Sequence, residues 1–274
     1  MGLLQDKVAI VTGSSKGIGK VIAHAFVREG ARVVVTSSRQ ANVDAALREF
    51  PPDRVIGIQC DVADRQSVEG LLRQTVDTFG ALDILVNNAG ISDSFYNITD
   101  GDPEEWERIV DTNLKGTYYA CRAAMAYFLE SGRAGKIINM AGSGTDRGSN
   151  TPFISAYGST KAALYRFTMA VAAEYRNSSV SIMLLHPGLV RTDIISTVDP
   201  TPEMQKQLKT FETIVDIFAQ PPTVAARMAV KLASSWSDGK SGIYLSALSG
   251  WRKKKLLFSW PLRKLFNRID RTTY

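Results

Sequence analysis

The sequence predicts an α/β fold: a doubly wound parallel β-sheet with helices on both faces, in a single domain. Two observations predict it. Short β-branched apolar runs alternate with helical periodicities along most of the chain. Several of those runs end in loops of glycine, serine or asparagine from which a helix departs, the spacing of parallel strands joined by crossover helices.

Taken in order, residues 7–12 form a continuous apolar run, read as a strand buried on both faces. Residues 18–28 have helical periodicity and stop at Gly30. A second strand covers 32–36. The helix over 42–50 ends at Pro51-Pro52, since proline cannot continue it. Strand 54–59 is followed by helix 65–79, closed by Gly80. Strand 83–86 leads into Asn87-Asn-Ala-Gly90. Pro103 is well placed as a first helical residue, and a helical segment runs from there to about Leu129. A fifth strand spans 135–140, and a glycine- and serine-rich loop follows it. The next helix carries Tyr157 and Lys161. Strand 179–185, a helix after Pro221-Pro222 to about Ala233, and strand 243–246 complete the pattern. Residues 191–220, helical from 204 to 218, read as an insertion over the carboxyl edge of the sheet.

Composition narrows the function classes. The chain has 274 residues, 45% hydrophobic and 22% charged, as expected of a globular protein with a sizeable core. Two cysteines and two histidines give neither a disulfide framework nor a metal-ligand cluster, so the expectation is a reducing compartment and no metal. The N-terminus shows no signal-peptide pattern, and Asp6 leaves a myristoylation motif incomplete. No apolar run is long enough to span a bilayer. The predicted location is cytoplasmic, or peripheral at a membrane surface. Charge decides between those two less simply. Residues 251–274 hold eight Lys/Arg and one acid, whereas residues 1–250 hold 25 Lys/Arg against 26 Asp/Glu. The basic character of the protein therefore resides in its tail.

Thr12-Gly-Ser-Ser-Lys-Gly-Ile-Gly19 joins the first strand to the first helix. Glycines there permit a tight turn and close approach of a pyrophosphate to the helix N-terminus. Gly13, Ser15, Lys16, Gly17, Ile18 and Gly19 are the candidate contacts. The second strand ends in Ser37-Ser38-Arg39, where a carboxylate would otherwise bind the ribose hydroxyl of NAD. Hydroxyls and a guanidinium, with Lys16 nearby, suit a 2′-phosphate. NADP(H) is the preferred cofactor and NAD(H) the alternative. Asp61, beside Val62, either accepts from an adenine amino group or serves as a turn residue. Asn88, Ala89 and Gly90 could approach the adenine ribose, while at least one asparagine of that loop ties strands together. Asn113 is a mid-helix asparagine, unfavourable by propensity, that could bend the helix and hold a water. Tyr157 and Lys161 lie four residues apart, on one helix face. An ammonium beside a phenol favours the phenolate, so the tyrosine pKa is expected to fall from about 10 towards neutrality.

Thr12-Gly-x-x-x-Gly-x-Gly19, Asn87-Asn-Ala-Gly90, Asn113, Tyr157-x-x-x-Lys161 and His186-Pro-Gly188 occur in this order. Together they resemble the short-chain dehydrogenase/reductase family, in its compact form, over about residues 5–250. The resemblance implies a Rossmann-like fold and hydride exchange between a nicotinamide and a carbonyl or alcohol. It makes Tyr157 the proton donor or acceptor, with Lys161 lowering its pKa and holding the nicotinamide ribose. Asn113 would anchor a proton-relay water. Pro187, Gly188, Val190 and Thr192 would line the nicotinamide end. The family's catalytic serine is displaced here. Register with Asn139 puts it at Gly142, and counting about thirteen residues back from Tyr157 gives Gly144. Ser143 lies between them and is the candidate, with Thr145 and Ser155 in reserve.

The leading expectation is an NADP(H)-dependent carbonyl reductase or alcohol dehydrogenase, acting as a homodimer or homotetramer. The alternatives are an NAD-dependent dehydrogenase or epimerase of a biosynthetic pathway, and a dinucleotide-binding sensor or scaffold without turnover. Phe95, Tyr96, Phe153, Ile154, Ile194, Ile195 and Phe211 in the loops point to an apolar substrate. The tail, residues 251–274, mixes tryptophan, leucine, phenylalanine and cations. It suits either an arm packed on the protein or contact with a membrane surface. No nucleic-acid reading motif accompanies it.

Overall fold

The computed structural model describes residues 2–93, 95–146, 150–191 and 202–266. Seven parallel strands form one sheet in the order β3-β2-β1-β4-β5-β6-β7. They are β1 (Val8–Val11), β2 (Arg32–Ser37), β3 (Val55–Gln59), β4 (Ile84–Asn87), β5 (Gly135–Met140), β6 (Val180–His186) and β7 (Tyr244–Ser246). The order reverses between β1 and β4, so the loops after these two strands open a crevice at the carboxyl edge.

The period-two alternation of the strands sorts side chains between two cores. Ala9, Val11, Val33 and Val35 face one side, with Ile22 and Phe26 of α1 (Gly17–Arg28), Ala46 of α2 (Gln40–Leu47) and Val230 of α8 (Pro222–Ala233). Ile10, Val34, Leu85 and Ile182 face the other, with Leu71 of α3 (Arg65–Phe79) and Phe128 of α5 (Gly116–Glu130). The central strands are buried on both faces, which is why they read as unbroken apolar runs.

Four elements differ from the sequence expectation. The helix expected over 42–50 is α2, Gln40–Leu47, which begins two residues earlier and stops before the two prolines are reached. The segment from Pro103 to Leu129 is two helices, α4 (Pro103–Val110) and α5, separated by a π-helical turn over Asp111–Lys115. Asn113 sits in that turn. The insertion after residue 191 carries α7 (Pro202–Phe218), two residues longer at its start than its apolar pattern indicated. The tail contains a helix, α9 (Gly250–Leu265), despite Pro261 within it. The helix between β5 and β6 is α6 (Ser155–Glu174).

Candidate active site

The glycine loop is built for backbone approach. Gly13 and Gly17 have φ of +59° and +60°, in the left-handed region that favours glycine. A Cβ on Gly13 would lie 2.8 Å from Ala89 Cα, and one on Gly19 would lie 2.4 Å from Asn88 Nδ2. The first and fourth β-α loops therefore press together. Asn88 Nδ2 donates to the carbonyls of Thr12 and Gly13 at 2.9 and 3.1 Å, and Thr12 Oγ1 accepts from the amides of Asn88 and Ala89. Ser14, absent from the sequence candidates, is fully buried. Its hydroxyl donates to Val11 O and accepts from Thr36 N, fastening the loop to β2. No side chain caps α1, whose N-terminus begins at Gly17. Left-handed glycines, a close-packed floor and an uncapped helix start fit the pyrophosphate of a dinucleotide.

Lys16, Ser38 and Arg39 are exposed around this loop and Ser37 is partly so. Arg39 is the N-cap residue of α2, and no acid stands at the end of β2. Asp61 occupies a turn: its carboxylate accepts from Ala63 N at 3.0 Å. The cap of α3 is instead Asp64. Val62 is buried, packed so tightly under Gly116 that a Cβ there would lie 2.9 Å from it. Asn87 is the strand tie. Its amide donates to Asn139 Oδ1 at 2.8 Å, and Asn139 donates in turn to Thr168.

Asn113, Tyr157 and Lys161 converge beneath the crevice. Asn113 Oδ1 accepts from Ile91 N at 2.9 Å, while its Nδ2 donates to Ile91 O and to Thr160 Oγ1. The π-turn aims this side chain at the fourth loop, and a Cβ on Gly90 would lie 3.2 Å from Asn113 Oδ1 and 3.8 Å from Lys161 Nζ. Lys161 is buried and donates to Met140 O at 3.1 Å. Its ammonium lies 5.5 Å from the centre of the Tyr157 ring.

The expected depression of the Tyr157 pKa is not what this arrangement gives. Burial pushes the phenol up to about 12 and the Lys161 ammonium down to about 8. Desolvation favours the neutral form of each, and it alone accounts for both directions.

The loop after β5 is clamped on the first turn of α6. A Cβ on Gly142 would lie 2.2 Å from Tyr157 Oη, and one on Gly144 2.5 Å from Gly158 O. Thr145 Oγ1 accepts from Gly142 N at 3.1 Å and faces Lys161 O at 3.4 Å, so its hydroxyl holds the loop. Ser143 stands between the two glycines, partly exposed, one residue from the phenol contact. Ser155 opens α6 and is partly exposed.

Asp93 was not a sequence candidate. It is fully buried, and its two carboxylate oxygens accept from Ala156 N and Tyr157 N at 2.9 Å each. It therefore caps the helix that carries Tyr157 from a loop 64 residues earlier. No local pattern announces such a cap. Nearby, Phe95 packs on Phe153 and Phe211 with ring centres 5.9 and 6.3 Å apart. Phe153 has φ of +67°, a strained value for a bulky residue. Ile154 is buried and Tyr96 partly so.

At the far side, His186 Nδ1 accepts from Gly188 N at 3.0 Å, and Gly188 has φ of +81°. Pro187 is buried, and Val190 is partly exposed. Thr192, Ile194 and Ile195 lie outside the described residues. No cluster of three potential metal ligands occurs among the described residues.

A parallel sheet of this order, with a glycine loop after β1 and a Tyr-Lys pair on α6, defines a dinucleotide-binding oxidoreductase. The family model for short chain dehydrogenases matches residues 7–203, and the chain belongs to that family. It is an NAD(P)-dependent oxidoreductase with the family's Rossmann-like fold. An uncharacterized oxidoreductase of Staphylococcus aureus (strain MRSA252) is 36% identical over 202 residues, 73% of this chain and 85% of that protein. An Arabidopsis thaliana protein named "Probable chlorophyll(ide) b reductase, chloroplastic" is 30% identical over 256 residues, 86% of this chain and 50% of that protein. Among solved structures, 3-ketoacyl-(acyl-carrier-protein) reductase from Brucella melitensis, complexed with NADH, has a TM-score of 0.76 at 28% identity, covering 89% of this chain and 97% of that one. A short chain dehydrogenase from Mycobacterium smegmatis has a TM-score of 0.75 at 29% identity, covering 91% and 94%.

Proposed function

We propose that the protein is an NADP(H)-dependent reductase of an apolar carbonyl compound, with Tyr157 as general acid. The observation that carries this reading is the convergence of Tyr157, Lys161 and Asn113 under the crevice where the sheet order reverses. When bound, the dinucleotide supplies the hydride. Gly13, Ser15, Gly17, Ile18 and Gly19 would hold its pyrophosphate on the α1 terminus. Asp61, Val62, Asn88, Ala89 and Gly90 would border the adenosine, and Pro187, Gly188, Val190 and Thr192 the nicotinamide. Ser37, Ser38 and Arg39, with Lys16, suit a 2′-phosphate, because hydroxyls and cations replace the acid that would select a free ribose hydroxyl.

The chemistry follows from the environment of the phenol. Burial keeps Tyr157 protonated, the state required to give a proton to the carbonyl oxygen. Ser143 donates a hydrogen bond to that oxygen as negative charge grows on it. Lys161 stands behind the phenol, and Asn113 on the π-turn would hold the water through which the proton is replaced. Phe95, Phe153 and Phe211 offer an apolar wall. Two of the relatives are named as reductases, which supports the reductive direction. The active assembly proposed is a homodimer or homotetramer.

A panel of ketones, aldehydes and alcohols, assayed with NADPH and NADH at low concentration, tests the reading. The expected result is turnover of apolar carbonyls with NADPH preferred. Tyr157→Phe should lose turnover by about 10²-fold or more while still binding cofactor. Arg39→Ala should raise the KM for NADPH about tenfold and leave that for NADH unchanged. A preference for NADH would remove the role of Ser37, Ser38 and Arg39, and inertness across the panel would favour a sensor.

A further inference from the structure

We infer that α9 docks the protein on the surface of an anionic lipid bilayer. The helix has one mixed face that the fold uses and one apolar face that it leaves exposed. Leu256, Ser259, Trp260 and Arg263, spaced three and four apart, are the partly buried residues of α9. That face packs on α7, where Arg263 donates to Ile217 O at 2.6 Å. Trp251, Phe258, Leu262 and Leu265 follow at steps of seven, four and three, so they form a single stripe on the opposite side. All four are exposed, Trp251 at 81% and Phe258 at 78%. No residue of α9 is fully buried.

Charge complementarity selects the occupant. The helix carries Arg252, Lys253, Lys254, Lys255, Arg263 and Lys264 and no acid. Lys254 and Lys255 project on either flank of the apolar stripe, by their helical spacing from Phe258. A stripe of tryptophan, phenylalanine and leucine bordered by lysines fits the boundary between acyl chains and anionic headgroups. A second copy packed through the same helix would bring the same cations against themselves. The helix lies along the surface and does not enter the bilayer lengthwise. Its sixteen residues span about 24 Å, and no helix among the described residues is long and apolar enough to cross.

The docked helix would also hold the substrate side of the molecule near lipid. α7, on which α9 packs, presents Phe211 to Phe95, two residues from the Asp93 cap of the Tyr157 helix. An apolar substrate dissolved in the bilayer would then reach the site without crossing bulk water.

Sedimentation of the full-length protein with vesicles tests the inference. One set is pure phosphatidylcholine, and the other contains about one third phosphatidylserine. Wild type should bind the anionic set at least tenfold better, and binding should fall as salt rises. Lys253→Glu/Lys254→Glu/Lys255→Glu and, separately, Trp251→Ser/Phe258→Ser should each lose binding at least tenfold. Both variants should keep wild-type circular dichroism and Tm, since every changed residue is exposed. Equal or absent binding of wild type to the two vesicle sets would overturn the proposal. So would full vesicle binding by Trp251→Ser/Phe258→Ser together with a smaller assembly by light scattering, which would make the stripe a contact between copies of the chain.

Discussion

At position 142 a hydrogen stands where any side chain would strike the Tyr157 hydroxyl. The family's serine cannot be restored there by simple substitution. Gly142→Ser should lower kcat, because the new side chain displaces the phenol. Ser143→Ala should also lower kcat, by about 10²-fold. Steady-state kinetics on both variants separates the positions: near-normal turnover in Ser143→Ala would end its candidacy. Lys161 makes a second prediction. Its value in the fold, about 8, lies below the ordinary value of about 10.4. Between those limits the unfolded chain holds more protons, so this residue lets stability rise with pH across the window. Below pH 8 the buried charge costs its full amount. Lys161→Met should thus abolish activity and yet stabilise the protein at pH 7 by about 2 kcal/mol. That gain should vanish as pH climbs from about 8 to about 10.4. Urea titrations at pH 7 and 10.5 measure both effects, and a Met variant less stable than wild type at pH 7 would refute the account.

Among the elements, α6 is the most dependent on a distant residue. No residue of its own supplies a side-chain cap, and Asp93 provides two acceptors from the loop after β4. Asp93→Ala should destabilise the protein by about 2 kcal/mol, lowering Tm by roughly 4–8 °C. It should also cut kcat about tenfold while the cofactor KM holds, as misplacement of Tyr157 would do and loss of cofactor binding would not. This cap marks the limit of what the sequence discloses. The helix over 65–79 and the strand over 135–140 were legible to the residue, because glycine stops and apolar runs are local signals. Tyr157 and Lys161 were legible because a helix fixes their relation. Asp93 was not, since its partners lie 63 and 64 residues away. The π-turn left only the hint of an awkward asparagine. The direction of the Tyr157 pKa was misread because spacing reveals a neighbour but not the exclusion of water. The exposed apolar face of the tail became visible only when its helical phase was known.

For the molecule as a whole, the sheet ends at Ser246 and the last buried apolar side chain among the described residues is Ala247, before α9 begins. Removing residues 250–274 should therefore change Tm by less than about 3 °C. Limited proteolysis should nevertheless cut α7 faster in the truncated protein, because Ile217 O loses its Arg263 donor. A large fall in Tm, or unchanged cleavage of α7, would contradict this division. The separation of charge has another consequence. With 25 Lys/Arg against 26 Asp/Glu in residues 1–250 and the cations gathered beyond them, the protein is an electric dipole with a single strong pole. A negatively charged surface exerts a torque on such an object before any contact is made. Approaching molecules would already be turned with α9 foremost, so orientation is selected during diffusion and not after landing.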